Sequence, residues 1–371
     1  MMKAKGTILL FFMCLFFAQA QNTKHNLLIG TFTNKCESNG VYVYEFDSQT
    51  AEFKLKSESE KIVSPGYLTV SPDNQYVYTV NSDGANSSVS AFGYVADSGK
   101  LNLLNQEKTT SENPCYIIND NKNVITANYG GGSVTVFGKN KNGSVGALKQ
   151  LVQHSGTGPN SKRQEKAHLH MVQFAPDHKM VLGTDLGSDK VYVYAYAPDA
   201  DKPLTLKQTI AVKAGSGPRH FTFSNDGKKL YLLGELNGVI SVFNYKKGKV
   251  SLLQEQSVVA PDFKASFTAA DIHISPDEKF LYATNRAEAN DISCFKILKN
   301  GTLEFVERVA TRGNGPRNFA IDPTGNFLLI GHQFSNEVVI FKRDKNTGKL
   351  TYSGQRIPLC SPVCLVFTKN K

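Results

Sequence analysis

Short apolar runs recur along the chain, and each is cut off by a polar turn. Around residue 225 the pattern is complete. Phe221-Thr222-Phe223 precedes the turn Ser224-Asn225-Asp226-Gly227, and Leu230-Tyr231-Leu232-Leu233 follows it. Val239-Ile240-Ser241-Val242-Phe243 alternates β-branched and aromatic residues, and after a Gly-Lys turn comes Val250-Ser251-Leu252-Leu253. Such runs predict four short strands, and no segment carries the 3.6-residue period of a helix. The turn recurs as Ser71-Pro72-Asp73-Asn74, Ala175-Pro176-Asp177-His178, Ser275-Pro276-Asp277-Glu278 and Asp322-Pro323-Thr324-Gly325, with a weaker copy at Asn119-Asp120-Asn121. Pro, Asp and Gly between apolar runs are hairpin chemistry.

Anchored on residues 72, 119, 176, 225, 276 and 323, the copies lie 47, 57, 49, 51 and 47 residues apart. Four strands at that spacing mark a propeller blade. The C-terminal Cys364-Leu365-Val366-Phe367-Thr368-Lys369 matches Tyr67-Leu68-Thr69-Val70-Ser71-Pro72, just before the first turn. The last strand is therefore expected to complete the blade begun at Asn26-Leu27-Leu28-Ile29-Gly30-Thr31, giving seven blades and covering an open sheet edge. The predicted fold is all-β, a seven-bladed propeller of four-stranded blades. The chain has no Trp, so it is not a Trp-Asp repeat scaffold.

The same index places the chemistry. Six residues before each anchor stand Gly66, Asn113, His170, Arg219, Ala270 and Arg317; ten residues after stand Ser82, Tyr129, Leu186, Glu235, Arg286 and Gln333. One position earlier stand Asn81, Asn128, Asp185, Gly234, Asn285 and His332. The strands that carry these positions are otherwise rich in apolar residues. Repeat-equivalent residues face one axis, so His170, Arg219, Glu235, Arg286 and Arg317 are expected on a ring at one end of the channel. Guanidinium forks beside one acid suit a carboxylate or phosphate, and an imidazole can move a proton near neutral pH. A base and a guanidinium suffice to activate water against an ester carbonyl. A solvent-filled channel with structural ion pairs is the alternative. No Gly-x-Ser-x-Gly elbow is present and no Cys falls on an indexed position, which disfavours covalent acyl transfer. His168 and His170 form a His-x-His pair without a clear third ligand, and the reading is metal-free. The run Tyr129-Gly130-Gly131-Gly132-Ser133 leads into a strand, so it reads as a blade turn and not as a phosphate cradle.

Composition adds location and little else. Lys3 and Lys5 precede a nearly apolar stretch from Thr7 to Ala18, and Ala18-Gln19-Ala20 is a small-x-small cleavage site. Residues 1–20 thus read as a cleaved signal peptide, with one domain over 21–371 and a periplasmic destination. The net charge of +10 is dispersed. Neither a basic stripe nor a nucleic-acid module is seen, so no nucleic-acid partner is expected. No membrane association after cleavage is expected either, and the chain is read as a monomer. Five cysteines remain after cleavage: Cys36, Cys115, Cys294, Cys360 and Cys364. The odd count excludes a complete disulfide framework. Cys360 and Cys364 would lie about 13 Å apart if extended, so small buried thiols are the favoured reading.

From about residue 26 to 368 the chain resembles the seven-bladed lactonases, a family that includes a bacterial 6-phosphogluconolactonase and the fungal carboxymuconate-lactonizing enzymes. Gly30-Thr31-Phe32-Thr33, His168-Leu169-His170 and Asp185-Leu186-Gly187-Ser188-Asp189-Lys190 carry the resemblance. So do Gly217-Pro218-Arg219-His220, Gly234-Glu235-Leu236, Thr284-Asn285-Arg286 and Gly315-Pro316-Arg317. Matched motif by motif, the resemblance implies a catalytic set of His170, Glu235, Arg219 and Arg286. Arg317, His168, His220 and Asp185 are expected at the substrate. It implies lactone chemistry on a small anionic lactone or carboxylate without metal or organic cofactor: hydrolysis of a sugar-acid lactone, 6-phosphogluconolactone for the family. The alternatives are a lactonizing cycloisomerase and a non-catalytic ligand-binding propeller. An export signal sits awkwardly with a phosphorylated intracellular substrate.

Overall fold

A computed structural model describes residues 23–369. The signal-peptide reading of residues 1–20 lies outside the described residues. The described chain forms seven four-stranded antiparallel sheets and one short 3-10 turn, Gly84–Asn86. Six sheets run outward in chain order, beginning with innermost strands Pro65–Val70, Pro114–Asn119, Leu169–Phe174, Pro218–Phe223, Phe267–Ile274 and Pro316–Ile321. The seventh mixes the two ends of the chain. Its innermost strand is Pro362–Lys369, which pairs with Lys24–Thr31 from His25↔Lys369 to Thr31↔Pro362. Each innermost strand touches the next, and Pro362–Lys369 touches both Pro65–Val70 and Pro316–Ile321, closing the ring. The expected mixed-terminus joint is therefore present.

The recurrent turn has a physical cause. The Ser71 hydroxyl bonds the Asp73 carboxylate and accepts the Tyr76 amide at 2.9 Å; Ser275, Asp277 and Phe280 repeat this. The fourth turn residue is left-handed: Asn74, His178, Gly227, Glu278 and Gly325 have φ between 54° and 73°. That conformation favours Gly and is tolerated by Asn, which accounts for Asn74, Gly227 and Gly325; His178 and Glu278 adopt it as well. Apolar faces of neighbouring blades supply the core. Leu27, Ile29 and Phe46 of the mixed blade pack on Phe327, Leu329 and Ile340 of the blade before it. The outermost strands alternate: in Lys100–Lys108, Leu101 is buried and Asn102 exposed.

One expectation about cysteine is corrected. Cys36 and Cys360, 324 residues apart, form a disulfide, while Cys115, Cys294 and Cys364 are free. The partners are distant in sequence and meet only because the ring closes, so local spacing held no signal for them. The bond ties the loop after the first strand to the segment that enters the last one. A cross-link over so long a loop typically stabilises by ~2–4 kcal/mol. Reductant is expected to lower the melting temperature of the wild type by several degrees and to leave a Cys36→Ser/Cys360→Ser variant unmoved. An equal response of both proteins would show that the bond carries no stability.

Candidate active site

At one end of the channel lies a cavity of about 280 Å³ whose wall includes His170, Glu235, Arg286 and Arg317. The repeat index located it. Glu235 follows the strand Lys229–Gly234 and is fixed by its backbone, donating to the Gly217 carbonyl at 2.8 Å and accepting from the Ala269 amide at 3.0 Å. Its side chain is 3% exposed and meets three guanidiniums. Oε1 is 2.5 Å from Arg163 Nη2; Oε2 is 2.9 Å from Arg219 Nε and 3.1 Å from Arg286 Nη2. Burial alone would raise this carboxyl, but Arg286, Arg219 and Arg163 outweigh it and hold the pKa at about 2. Glu235 is thus an ionised organiser of cations and a poor proton acceptor.

The guanidiniums are unequally spent. Arg219 is buried on Glu235 and the Ala270 carbonyl, and its side chain stands behind the cavity wall. Arg286 gives Nη2 to Glu235 and to the Ala269 carbonyl at 3.3 Å, while burial lowers its pKa to about 10. Arg317 lies over the Phe32 ring at 5.4 Å, with no acidic partner among the described residues. Burial, with Arg219 and Arg286 nearby, lowers it to about 9. Four guanidiniums around one carboxylate leave a cationic surplus for an anion. His170 is 4% exposed. Burial, then Arg219, His220, Arg317 and Arg286, hold it neutral well below the usual imidazole range.

Three residues expected at the substrate are placed elsewhere. His168 stacks on Tyr129 at 4.3 Å, bonds Glu165 at 2.9 Å and does not line the cavity. With His170 edge-on at 5.6 Å, it braces the Tyr129 wall, so the two imidazoles of the His-x-His pair do not converge on one point. Asp185 accepts the amides of His168, Gly187 and Ser188 and the Ser188 hydroxyl, which closes its blade turn. His220 lies below the cavity, bonded to Asp271 at 2.7 Å.

The index also slipped in one blade. Pro114 pairs with Asn128 as Pro65 pairs with Asn81, so the residue equivalent to Gly66 is Cys115, not Asn113. Both line the cavity. Burial pushes the Cys115 thiol up to about 12, which leaves it inert. Arg163 and Phe32 were missed altogether. Arg163 sits in the long connection between Val145–Gln153 and Leu169–Phe174, which has no counterpart in other blades. Phe32 belongs to the split blade, which has no turn anchor; its amide bonds the Ser361 carbonyl at the ring closure. The Gly30-Thr31-Phe32-Thr33 motif was its available signal.

This arrangement defines a class: a closed seven-bladed propeller with a buried, cation-rich polar cavity on its axis. The family described as "Lactonase, 7-bladed beta-propeller" matches residues 26–367, and the chain belongs to that family. It is 36% identical to the 6-phosphogluconolactonase of Formosa agariphila over 340 residues, covering 90% of this chain and 95% of the relative. The 6-phosphogluconolactonase of Bacillus subtilis is 35% identical, with 93% and 99% covered. Among solved structures, the periplasmic gluconolactonase of Pseudomonas aeruginosa superposes with a TM-score of 0.89 at 32% identity, covering 94% of this chain and all of that one.

Proposed function

We propose that this protein hydrolyses a sugar-acid lactone, acting outside the cytoplasm. The observation that carries the chemistry is a buried imidazole, His170, on the wall of a cavity where Arg317 has no acidic partner among the described residues; burial and the guanidiniums around it keep the imidazole neutral. In this reading His170 takes a proton from water. The water oxygen bonds the lactone carbonyl carbon, the ring C–O bond breaks, and the same proton passes to the leaving ring oxygen. Arg286 and Arg317 offer donors to the developing oxyanion and to an anionic substituent. Glu235 holds Arg163, Arg219 and Arg286 in place. The relatives named for 6-phosphogluconolactone and gluconolactone support the sugar-acid class. Export is supported by the Cys36–Cys360 bond, since disulfides persist in oxidising compartments.

Acid release at constant pH from 6-phosphogluconolactone, from unphosphorylated gluconolactone and from simple lactones tests the reading. Turnover above the spontaneous rate supports it, and the better of the first two substrates fixes the phosphorylation question. Ring closure of an unsaturated diacid would favour the cycloisomerase, and no turnover of any compound a binding propeller. The pH profile is a further prediction. Because the imidazole pKa is lowered, the neutral form survives below 6.5. The rate kcat/KM is expected to stay level as pH falls from 7.5 through 6.5 and to drop only in more acid solution. A half-maximal point at or above 6.5 would remove His170 as the base.

A further inference from the structure

Beneath the cavity the channel is plugged by a second layer from the innermost strands. Tyr67 and Tyr116 stack at 4.0 Å, and His220 stands edge-on to Tyr116 at 5.3 Å. Asp271 is the charged member of this layer, 1% exposed and saturated with donors. Oδ1 takes His220 Nδ1 at 2.7 Å and the Ile272 amide at 3.0 Å. Oδ2 takes His273 Nε2 at 2.9 Å, Asn318 Nδ2 at 2.5 Å and the Phe319 amide at 3.2 Å. Burial would raise the Asp271 carboxyl, but His273 and His220 beside it hold it well below the usual carboxylate range, so it is an ionised acceptor and His220 presents Nδ1–H to it. A neutral His220 then has a bare lone pair on Nε2. Burial and Arg219 lower its pKa to about 4, so it is neutral.

Two buried imidazole nitrogens here lack a hydrogen-bond partner among the described residues: Nε2 of His220 and Nδ1 of His170. Their rings are 5.2 Å apart, centre to centre. His220 Nε2 is an acceptor because its proton sits on Nδ1, and His170 Nδ1 is satisfied if it is the donor. We propose that His220 and Asp271 are positioning residues for His170. Asp271 fixes the His220 tautomer, and His220 Nε2 accepts a hydrogen bond from the Nδ1–H of His170, directly or through one water. The far nitrogen of His170, Nε2, is thereby left as the lone pair for chemistry in the cavity. The proposal rests on the reading of His170 as the base. It makes a column of three groups along the propeller axis, with His273 as a fourth below Asp271 toward the opposite mouth, its side chain 38% exposed. The other titratable and charged groups around His170 are Arg219, Arg286, Arg317, Tyr129 and Cys115, with Glu235 on the same cavity wall; around His220 they are Arg219, His273, Tyr67 and Tyr116. The anions among them at neutral pH are Asp271 and Glu235, and the Glu235 carboxylate is held by Arg163, Arg219 and Arg286.

The test needs no substrate at its first step. In ¹⁵N-histidine-labelled protein, with His170 assigned by loss of its signals in His170→Gln, the imidazole shifts report the tautomer. The expected result is Nδ1 protonated and Nε2 bare at neutral pH, changing in Asp271→Asn. An Nε2–H tautomer in the wild type overturns the proposal whether or not the protein is a lactonase. Kinetics follow on the lactone that is turned over. Asp271→Asn is expected to lower kcat roughly 10–10³-fold with KM unchanged. That is less than the ~10⁴ seen when a Ser-His-Asp triad loses its carboxylate, because Asp271 acts through one more ring. If Asp271→Asn does not fold, His220 decides. His220→Gln keeps an acceptor and should retain most activity, whereas His220→Phe should lose it. Variants that change only the melting temperature, with the tautomer, kcat and pH profile unmoved, reduce the column to a structural plug and overturn the proposal.

Discussion

Removal of residues 359–371 is expected to leave no folded protein. The deleted strand Pro362–Lys369 is the innermost of its blade and pairs with Lys24–Thr31 along its length. Its loss exposes the edge of Lys24–Thr31 and opens the contacts to Pro65–Val70 and Pro316–Ile321. Val363 and Leu365 are buried, and burying a side chain of that size contributes about 1.5–3 kcal/mol. The disulfide through Cys360 goes too, at ~2–4 kcal/mol. Together these approach the whole ~5–15 kcal/mol that a domain typically has. Open sheet edges then invite aggregation. Expression yield, melting temperature and limited proteolysis of the truncated chain check this. A truncated protein that melts with the full-length one would refute ring closure as a source of stability.

The closure was readable because each blade repeats one local physical solution. A polar turn, tied in three blades by a Ser hydroxyl and an Asp carboxylate, has apolar runs on both sides, and its period counts the blades. Matching Cys364–Lys369 to Tyr67–Pro72 then needed no long-range knowledge. The Cys36–Cys360 bond was not readable for the opposite reason. Its geometry exists only once 324 intervening residues have closed the ring.

The site divides in the same way. Glu235, Arg286, His170 and Arg317 stand at repeat-equivalent positions, and symmetry sent them to one cavity. Symmetry gives a position but not what a side chain does there. Arg219 occupies such a position, yet its guanidinium is consumed by Glu235 and the Ala270 carbonyl. Asp185 and His168 follow family motifs, yet their polar atoms serve a blade turn and the Tyr129 wall. Arg163 broke the pattern from the other side: it reaches Glu235 from a connection outside the repeat. Asp271 was hidden because its neighbour Ala270 holds the indexed position, and the bulge between Ala269 and Ile272 sets the carboxylate one layer deeper.

Glu235→Gln is expected to lose both activity and stability, and Arg286→Lys mainly activity. The glutamine keeps the shape of the side chain but leaves Arg163, Arg219 and Arg286 around a neutral amide. Breaking a buried ion pair from one side typically costs ~3–5 kcal/mol, because the remaining charge is uncompensated. The guanidiniums then repel one another and leave the positions from which they meet an oxyanion. Loss of one such donor typically costs ~10²–10³ in rate. The same logic fixes the pH response of the wild type. With the Glu235 pKa lowered to about 2, its contribution to stability is fully present above the ordinary Glu value and is lost as pH falls toward 2. Glu235→Gln is in effect that acid form at neutral pH, so its melting temperature should lose the part of the acid dependence that Glu235 supplies. Arg286→Lys retains a cation for Glu235 Oε2, so the melting temperature should stay near wild type. Its ammonium cannot hold Glu235 and a substrate oxygen in one plane, so turnover should fall. Melting temperature and kcat measured on both variants separate the two roles. If Arg286→Lys turns over lactone at the wild-type rate per folded molecule, the cluster is a structural brace and the reacting carbonyl is polarised by other groups.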